Sequence, residues 1–124
     1  MVEGQDDALI IRKFIDEQKL DLDYQVFGYG ADGAGNIKGW IKILKSLGIG
    51  VAVLLDSDPI GNRESTRAIA LLDRNSVKQI STNDIRDKPA ISLPAKNGIA
   101  DERGVIKDSE VDGLKLILET IKPA

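Results

Sequence analysis

Apolar and polar residues follow one another along the chain in blocks that predict helices and strands by turns. Residues 6–18 and residues 37–47 each carry apolar side chains at the spacing of one helix face, and both patterns predict an amphipathic helix. The continuous apolar run Val51–Leu55 predicts a parallel strand that is covered on both faces. Weaker patterns predict strands at residues 1–2, 24–27 and 77–82 and helices at residues 63–73 and 109–121.

The order of these elements favours an α/β fold of Rossmann-like architecture. Strands that alternate with helices favour a central, mostly parallel sheet, here of about four strands, with helices on both faces. The apolar stripe of the helix at residues 37–47, Trp40 included, is expected to face the core. Residues 84–108 contain Pro89, Pro94 and two glycines, and they are predicted to form a long loop with at most one short strand.

Composition narrows the chemistry that the chain can perform. The 124 residues are 42% apolar and 30% charged, and a single domain over residues 1–124 is expected. Because cysteine and histidine are both absent, disulfides, thiolate nucleophiles, Ser-His-Asp triads and the usual zinc sites are excluded. No apolar run approaches the roughly 20 residues of a membrane span, and no export signal opens the chain, so a cytoplasmic protein without a membrane partner is expected. The net charge of −3 argues weakly against a chain that binds DNA on its own.

Acidic residues stand where two predicted strands end. The stretch VAVLLDSDPIGNRES places Asp56 and Asp58 directly after the buried strand, where two carboxylates 4 Å apart repel by about 4 kcal/mol unless a cation lies between them. Glu3 ends the first strand, and Asp7 lies in the first turn of the next helix. Since ligands of parallel sheets bind at the carboxyl ends of the strands, these four carboxylates are expected on one rim, where they suit Mg²⁺ or Mn²⁺.

Two motifs carry a resemblance to a known family. Residues 3–7, EGQDD, resemble the E-G-x-x-D element of the Toprim domain, and residues 56–58, DSD, resemble its D-x-D element. Primases, type IA and type II topoisomerases, small RNA maturases and OLD-family (overcoming lysogenization defect) nucleases share this domain. The glycine-rich turn and helix before the second motif look most like the Toprim portion of OLD-type ATPase-nucleases, while DSDPIGNRESTRA also resembles primases.

The resemblance implies a metal-dependent phosphoryl transfer on nucleic acid, most simply DNA cleavage with two Mg²⁺ or Mn²⁺ ions. In this interpretation Asp56 and Asp58 bind metal, Asp7 helps to complete that shell, and Glu3 bridges a metal or acts as general acid or base. OLD-type sites are also expected to use a downstream lysine, for which the candidates are Lys78, Lys88, Lys96 and Lys107. The acidic residues Asp108, Glu110 and Asp112 either supply a further ligand or simply open the last helix.

The partners follow partly from the resemblance and partly from charge. Lys38, Arg63 and Arg67 are candidate contacts to nucleic acid, although basic residues on helix faces are more often only solvated. OLD proteins carry an ATPase domain before the Toprim domain, and no G-x-x-x-x-G-K-[ST] phosphate loop occurs here. The chain is therefore expected to be a domain excised from a larger protein, or a small stand-alone Toprim protein. An ATPase domain or an ATPase partner chain is expected to work with it. Self-association into a homo-oligomer is left open.

Three alternatives remain at this point. One is a Toprim protein similar to primases or RNA maturases, with RNA as a further candidate substrate. The second is a dinucleotide-binding domain, because residues 28–33, GYGADG, match G-x-G-x-x-G between a predicted strand and a helix. Against it, the helix is predicted to begin near Asn36, too far from Gly33, and Glu3 and Asp7 stay unexplained. The third is a binding module without catalytic activity.

Overall fold

Four helices and four short strands make up the computed structural model, which describes residues 1–124. The helices are α1 (Gln5–Gln18), α2 (Ile37–Ser46), α3 (Pro59–Leu71) and α4 (Asp108–Thr120). The strands are β1 (Val53–Leu55), β2 (Val77–Gln79), β3 (Asp84–Arg86) and β4 (Gly98–Ala100). Single 3₁₀ turns precede α2 at Ala34–Asn36 and β2 at Arg74–Ser76. None of the helices is both long enough and apolar enough to cross a membrane.

The strands pair in two small parallel sheets. Val53 of β1 lies opposite Val77 of β2, and Asp84 of β3 lies opposite Gly98 of β4. The α/β class and the parallel pairing are thus confirmed, but two sheets of two strands stand where one sheet of about four strands was expected. The prediction of at most one strand in residues 84–108 was wrong, since that segment contains all of β3 and β4. Proline-rich residues separate these two strands and masked the pattern.

The third helix begins earlier than its apolar pattern suggested. The prediction placed its start at Arg63, whereas α3 begins at Pro59. The side chain of Asp58 caps it by accepting a hydrogen bond from the Gly61 N–H at 2.6 Å, and proline at the first helical position has no N–H that would need an acceptor. Cap chemistry rather than apolar periodicity therefore sets this boundary.

The first residues extend the sheet of β1 without forming a strand of their own. The Met1 amino group donates to Ala52 O at 2.7 Å, and the Leu54 N–H donates to Met1 O at 3.0 Å, as in a parallel pair. On the other side, Val2 O accepts from the Ala31 N–H at 2.9 Å. The strand predicted at residues 24–27 was wrong. On this side Val2 bonds instead with Ala31, which lies beyond the turn that follows residues 24–27.

Strand β1 lies between two hydrophobic cores. Leu54 packs with side chains of α1 and α4, while Val53 and Leu55 pack with side chains of α2 and α3. The prediction of a strand covered on both faces is confirmed. Because the carboxyl end of this strand carries the D-x-D motif, the two cores together fix the position of that motif.

Helix α2 buries a narrower face than predicted. Ile37 and Ile41 are buried, but Trp40 is 37% exposed and Leu47 is 68% exposed. The expectation that Trp40 lies in the core was wrong. Its ring instead meets Phe27 edge to face, with ring centroids 5.2 Å apart. The reason is that α2 is an outer helix, covered only by the second core below it.

Candidate metal centre

Three carboxylates from separate parts of the chain lie together at one edge of the molecule. Glu3 follows the extended first residues, Asp7 lies in the first turn of α1, and Asp56 follows β1. One carboxylate oxygen from each lies within 4.8 Å of the other two, and all three side chains are half-buried. The parallel pairing of Met1 with β1 brings the ends of both segments to the same place. Three of the four predicted metal ligands are therefore assembled by the fold.

Backbone groups hold this cluster in place. Glu3 Oε2 accepts a hydrogen bond from the Asp56 N–H at 2.8 Å, which ties the first motif to the second. The Asp56 carbonyl accepts from Gln79 Nε2 of β2 at 3.1 Å. Gly4 O accepts from the Ala8 N–H at 3.1 Å and so starts α1, whose N-terminal partial positive charge favours Asp7. The position of each carboxylate is thus set by secondary structure.

The cluster carries more negative charge than its surroundings stabilise. Burial, and after it the neighbouring Glu3 charge, raises the pKa of Asp7 to about 6. Burial also raises the pKa of Asp56 well above its usual range, with the Glu3 carboxylate beside it as the next cause. A divalent cation among these oxygens would stabilise all of the ionised forms at once, since hard oxygen ligands are those that Mg²⁺ and Mn²⁺ prefer.

A further carboxylate near the cluster was missed by the sequence reasoning. Asp84 at the start of β3 is buried, and its charge contributes to the raised pKa values of Asp7 and Asp56. Lys88 Nζ lies 2.9 Å from Asp84 Oδ2, at ion-pair distance but without the alignment of a hydrogen bond, and Lys96 Nζ lies 3.8 Å away. No spacing pattern pointed to Asp84, because it begins a strand inside a segment that was predicted to be loop.

Asp58, the fourth predicted ligand, lies outside the group of three. Its Oδ1 atom is engaged as the cap of α3. A Cβ at Gly61 would meet the backbone carbonyl of Asp56, because the helix start presses directly against the loop that follows β1. Asp56 therefore belongs to the carboxylate cluster, whereas Asp58 caps α3 through one of its two carboxylate oxygens.

The candidate lysines and the acidic residues of α4 are also separated by the fold. Lys88 and Lys96 reach Asp84, whereas Lys107 Nζ pairs with Asp87 Oδ1 at 2.9 Å and Lys78 lies in β2. None of the acidic residues predicted as alternatives belongs to the group of three carboxylates; they are Asp108, Glu110 and Asp112. Glu110 instead accepts a hydrogen bond from the Ser81 hydroxyl at 3.1 Å.

The predicted basic contacts lie on α2 and α3, which pack against each other. Arg67 Nη1 lies 3.0 Å and Arg63 Nε 3.5 Å from the same oxygen of Glu64, a side chain that is almost fully buried. Both arginine side chains keep at least half of their surface exposed. Lys38 is exposed on α2 and forms no ion pair.

The glycine loop does not lead directly into a helix. The three residues Ala34–Asn36 form a 3₁₀ turn between Gly33 and α2, which begins only at Ile37, so no α-helix N-terminus lies directly after the loop to bind a pyrophosphate. Gly30 instead lies against the backbone of Gly4, next to Glu3. The loop is therefore part of the surroundings of the carboxylate cluster.

Comparison with known proteins agrees with the two motifs. Residues 1–58 match the family described as "Overcoming lysogenization defect protein-like, TOPRIM domain". The matched segment runs from the first residue through both motifs and ends on Asp58. No curated protein and no solved structure matches the chain. At the family level a Toprim domain indicates metal-dependent phosphoryl transfer on nucleic acid, and Toprim domains bind divalent metal ions. The motifs, the parallel α/β fold and the carboxylate cluster agree with this match, and together they support a Toprim domain of the OLD type that includes residues 1–58.

Proposed function

We propose that this Toprim domain is an endonuclease that cleaves DNA by metal-dependent hydrolysis of the phosphodiester backbone. The observation that carries the proposal is the convergence of Glu3, Asp7 and Asp56, whose oxygens lie within 4.8 Å of one another. Their burial and mutual repulsion, expressed in the raised pKa values of Asp7 and Asp56, are what a site prepared for a cation requires.

The donor set fits Mg²⁺ or Mn²⁺ because it consists only of carboxylate oxygens. Glu3, Asp7 and Asp56 would hold one ion, and Asp56 and Asp58 would hold the second ion of the proposed pair. Asp58 would use Oδ2 for this, since Oδ1 is bonded to the helix N-terminus. Two such ions, when bound, stabilise both the attacking and the leaving oxygen of an in-line displacement.

The protein's own side chains then have distinct parts. Glu3 already uses Oε2 to accept from the Asp56 N–H, so Oε1 is its oxygen for a ligand or for a proton. We assign the site lysine to Lys88, because its ammonium group is held beside Asp84 and its charge acts to lower the pKa of Asp7. A cation fixed there would face the negative charge that develops on the phosphate.

Contact to DNA is proposed for Lys38, Arg63 and Arg67. Glu64 neutralises one of the two arginine charges, so this surface offers few phosphate contacts. We therefore propose that an ATPase domain or an ATPase partner chain supplies most of the grip on DNA. Self-association would be another route to the same end.

A nicking assay tests the proposal. Supercoiled plasmid is incubated with the protein at low salt with Mn²⁺, and Glu3→Gln is expected to lower the rate by about 10²–10⁴-fold, as for loss of a positioned acid or base. Glu17→Gln is the matched control, since Glu17 is an exposed carboxylate of α1 paired only with Lys13. Equal nicking by wild type and Glu3→Gln would contradict the proposal.

Two further assays distinguish the alternative functions. A single-stranded RNA substrate in the same buffer tests the hypothesis of a protein similar to primases or RNA maturases. Cleavage of RNA without cleavage of DNA would support it. Calorimetry with NAD tests the hypothesis of a dinucleotide-binding domain, and a saturable binding isotherm would favour it. If neither nucleic acid is cut while Mn²⁺ still binds, a binding module without catalysis becomes the better account.

A further inference from the structure

We infer that the glycine loop at residues 28–33 holds the backbone of Glu3 in place, and that Gly30 is a positioning residue of the metal centre. The inference rests on the proposed function only in taking Glu3 as a ligand. It gives Gly30 of the G-x-G-x-x-G sequence a role in a domain in which no α-helix begins directly after the loop.

The contact between Gly30 and Gly4 leaves no room for a side chain. A Cβ at Gly30 would lie 2.6 Å from Gly4 O and 2.8 Å from both Gly4 C and Gly4 Cα. These atoms belong to the backbone, so they cannot move aside as the end of a flexible side chain does. Gly30 also has φ of +87°, a conformation that favours glycine. Two independent requirements therefore place glycine at this position.

The same loop forms hydrogen bonds with the backbone of Val2 and of Glu3. The Ala31 N–H donates to Val2 O at 2.9 Å, and the Gly33 N–H donates to Glu3 O at 2.8 Å. The loop is itself closed by the Gly30 N–H, which donates to Phe27 O at 3.1 Å. Residues 2–4 are thus held by one hydrogen bond before Glu3, one at Glu3 and one close backbone contact after it.

The position of the loop affects the Glu3 carboxylate through one hydrogen bond, from the Asp56 N–H. Glu3 Oε2 accepts from the Asp56 N–H at 2.8 Å, and this distance depends on where the loop sets the Glu3 backbone. Metal sites need their ligands within about 0.5 Å of the productive geometry. A side chain at Gly30 would push Gly4 by more than this tolerance, and Glu3 would lose its alignment with Asp7 and Asp56.

Gly28 provides a matched control in the same loop. It also has a positive φ, +49°, but a Cβ there would meet no atom within 4 Å. Gly28→Ala therefore also places a side chain at a positive φ, but without the contact to Gly4. Of the two variants, Gly30→Ala alone adds a clash with the Gly4 backbone.

The experiment measures amide hydrogen exchange by NMR in the metal-free protein. In Gly30→Ala we expect the Asp56 amide to exchange about tenfold faster or more than in Gly28→Ala and wild type, because its acceptor has moved. The Lys107 amide, which donates to Ile99 O at 2.9 Å in the other sheet, reports global opening and should change equally in the two variants. In calorimetry, Mn²⁺ affinity should fall by about 10–100-fold in Gly30→Ala alone, as for other residues that orient a ligand.

The outcomes are distinguishable from those of the proposed function. If wild type binds no Mn²⁺, the proposed metal centre fails, while the Asp56 amide still tests the support of Glu3. The inference is overturned if the Asp56 amide exchanges alike in Gly30→Ala and Gly28→Ala. It is also overturned if Gly30→Ala unfolds while Gly28→Ala folds, because the contact would then serve the fold as a whole rather than the placement of Glu3.

Discussion

Glu3 and Asp56 belong to different motifs, and a single 2.8 Å hydrogen bond from the Asp56 N–H to Glu3 Oε2 joins them. The bond ties the Glu3 carboxylate to the backbone of Asp56 before any ligand binds. It also brings two negative charges together at a half-buried position, where the repulsion between them works against folding. The metal-free and metal-bound proteins should therefore differ in stability.

The first prediction concerns metal and thermal stability. Asp7→Asn removes one of the crowded charges, so we expect the metal-free variant to melt at or above the temperature of wild type. In wild type, Mn²⁺ at 100 times its Kd should stabilise the fold by about 2.7 kcal/mol, and Asp7→Asn should lose most of this increment. Differential scanning calorimetry with and without Mn²⁺ checks both effects. Asp16→Asn, a change farther along the same helix, should retain the increment, and a loss there would contradict the assignment.

The second prediction concerns pH. The pKa of Asp7 is about 6 in the folded protein against an ordinary value of 3.8, so the folded state binds the proton more tightly than the unfolded chain. The stabilisation by protonation is fully present below pH 3.8 and is lost as pH rises through about 6. At about 1.4 kcal/mol per pKa unit, Asp7 alone accounts for up to about 3 kcal/mol across this window.

Urea denaturation of the metal-free protein between pH 4.5 and pH 7.5 measures this dependence. Stability should fall as pH rises, and Asp7→Asn should flatten the curve. Saturating Mg²⁺ should reverse the slope, because protons then compete with the ion for the same oxygens. A metal-free protein that becomes more stable on going from pH 5 to pH 7 would contradict the prediction.

The third prediction separates the two roles of Asp58. Asparagine is as good a helix cap as aspartate, so Asp58→Asn should leave the melting temperature nearly unchanged, while Asp58→Ala should cost about 1 kcal/mol. If Asp58 also holds the second ion, Asp58→Asn should reduce the number of Mn²⁺ ions bound per chain from two to one in calorimetry. An unchanged stoichiometry in Asp58→Asn would restrict Asp58 to the cap of α3.

The fourth prediction concerns the core that carries the site. Leu54 is buried between α1 and α4, and Leu54→Ala should destabilise the protein by about 2–5 kcal/mol. Leu116→Ala is the control, because Leu116 is 65% exposed and such surface changes stay within about 0.5 kcal/mol. Equal losses in the two variants would contradict the burial of β1 on that face.

Much of the site could be predicted because topology alone places strand ends together. Glu3, Asp7 and Asp56 follow from the parallel pairing and from the first turn of a helix, both of which leave clear patterns in the sequence. Asp84 could not be predicted, since its approach to the cluster depends on β3, a strand of three residues whose partner lies beyond a proline-rich loop. The error at residues 24–27 has a similar origin, because a strand pattern shows propensity and not whether a partner strand lies alongside.

Strand β1 is shared by two hydrophobic cores, and this has a consequence for how the molecule opens. Loosening either layer of helices strips one face from the strand, since Leu54 faces one core and Val53 and Leu55 face the other. The two halves of the molecule should therefore lose their structure together, as one cooperative unit. The residue that follows the strand is Asp56. An ion bound there would stabilise the end of the strand that both cores share, and it would therefore slow the opening of both halves.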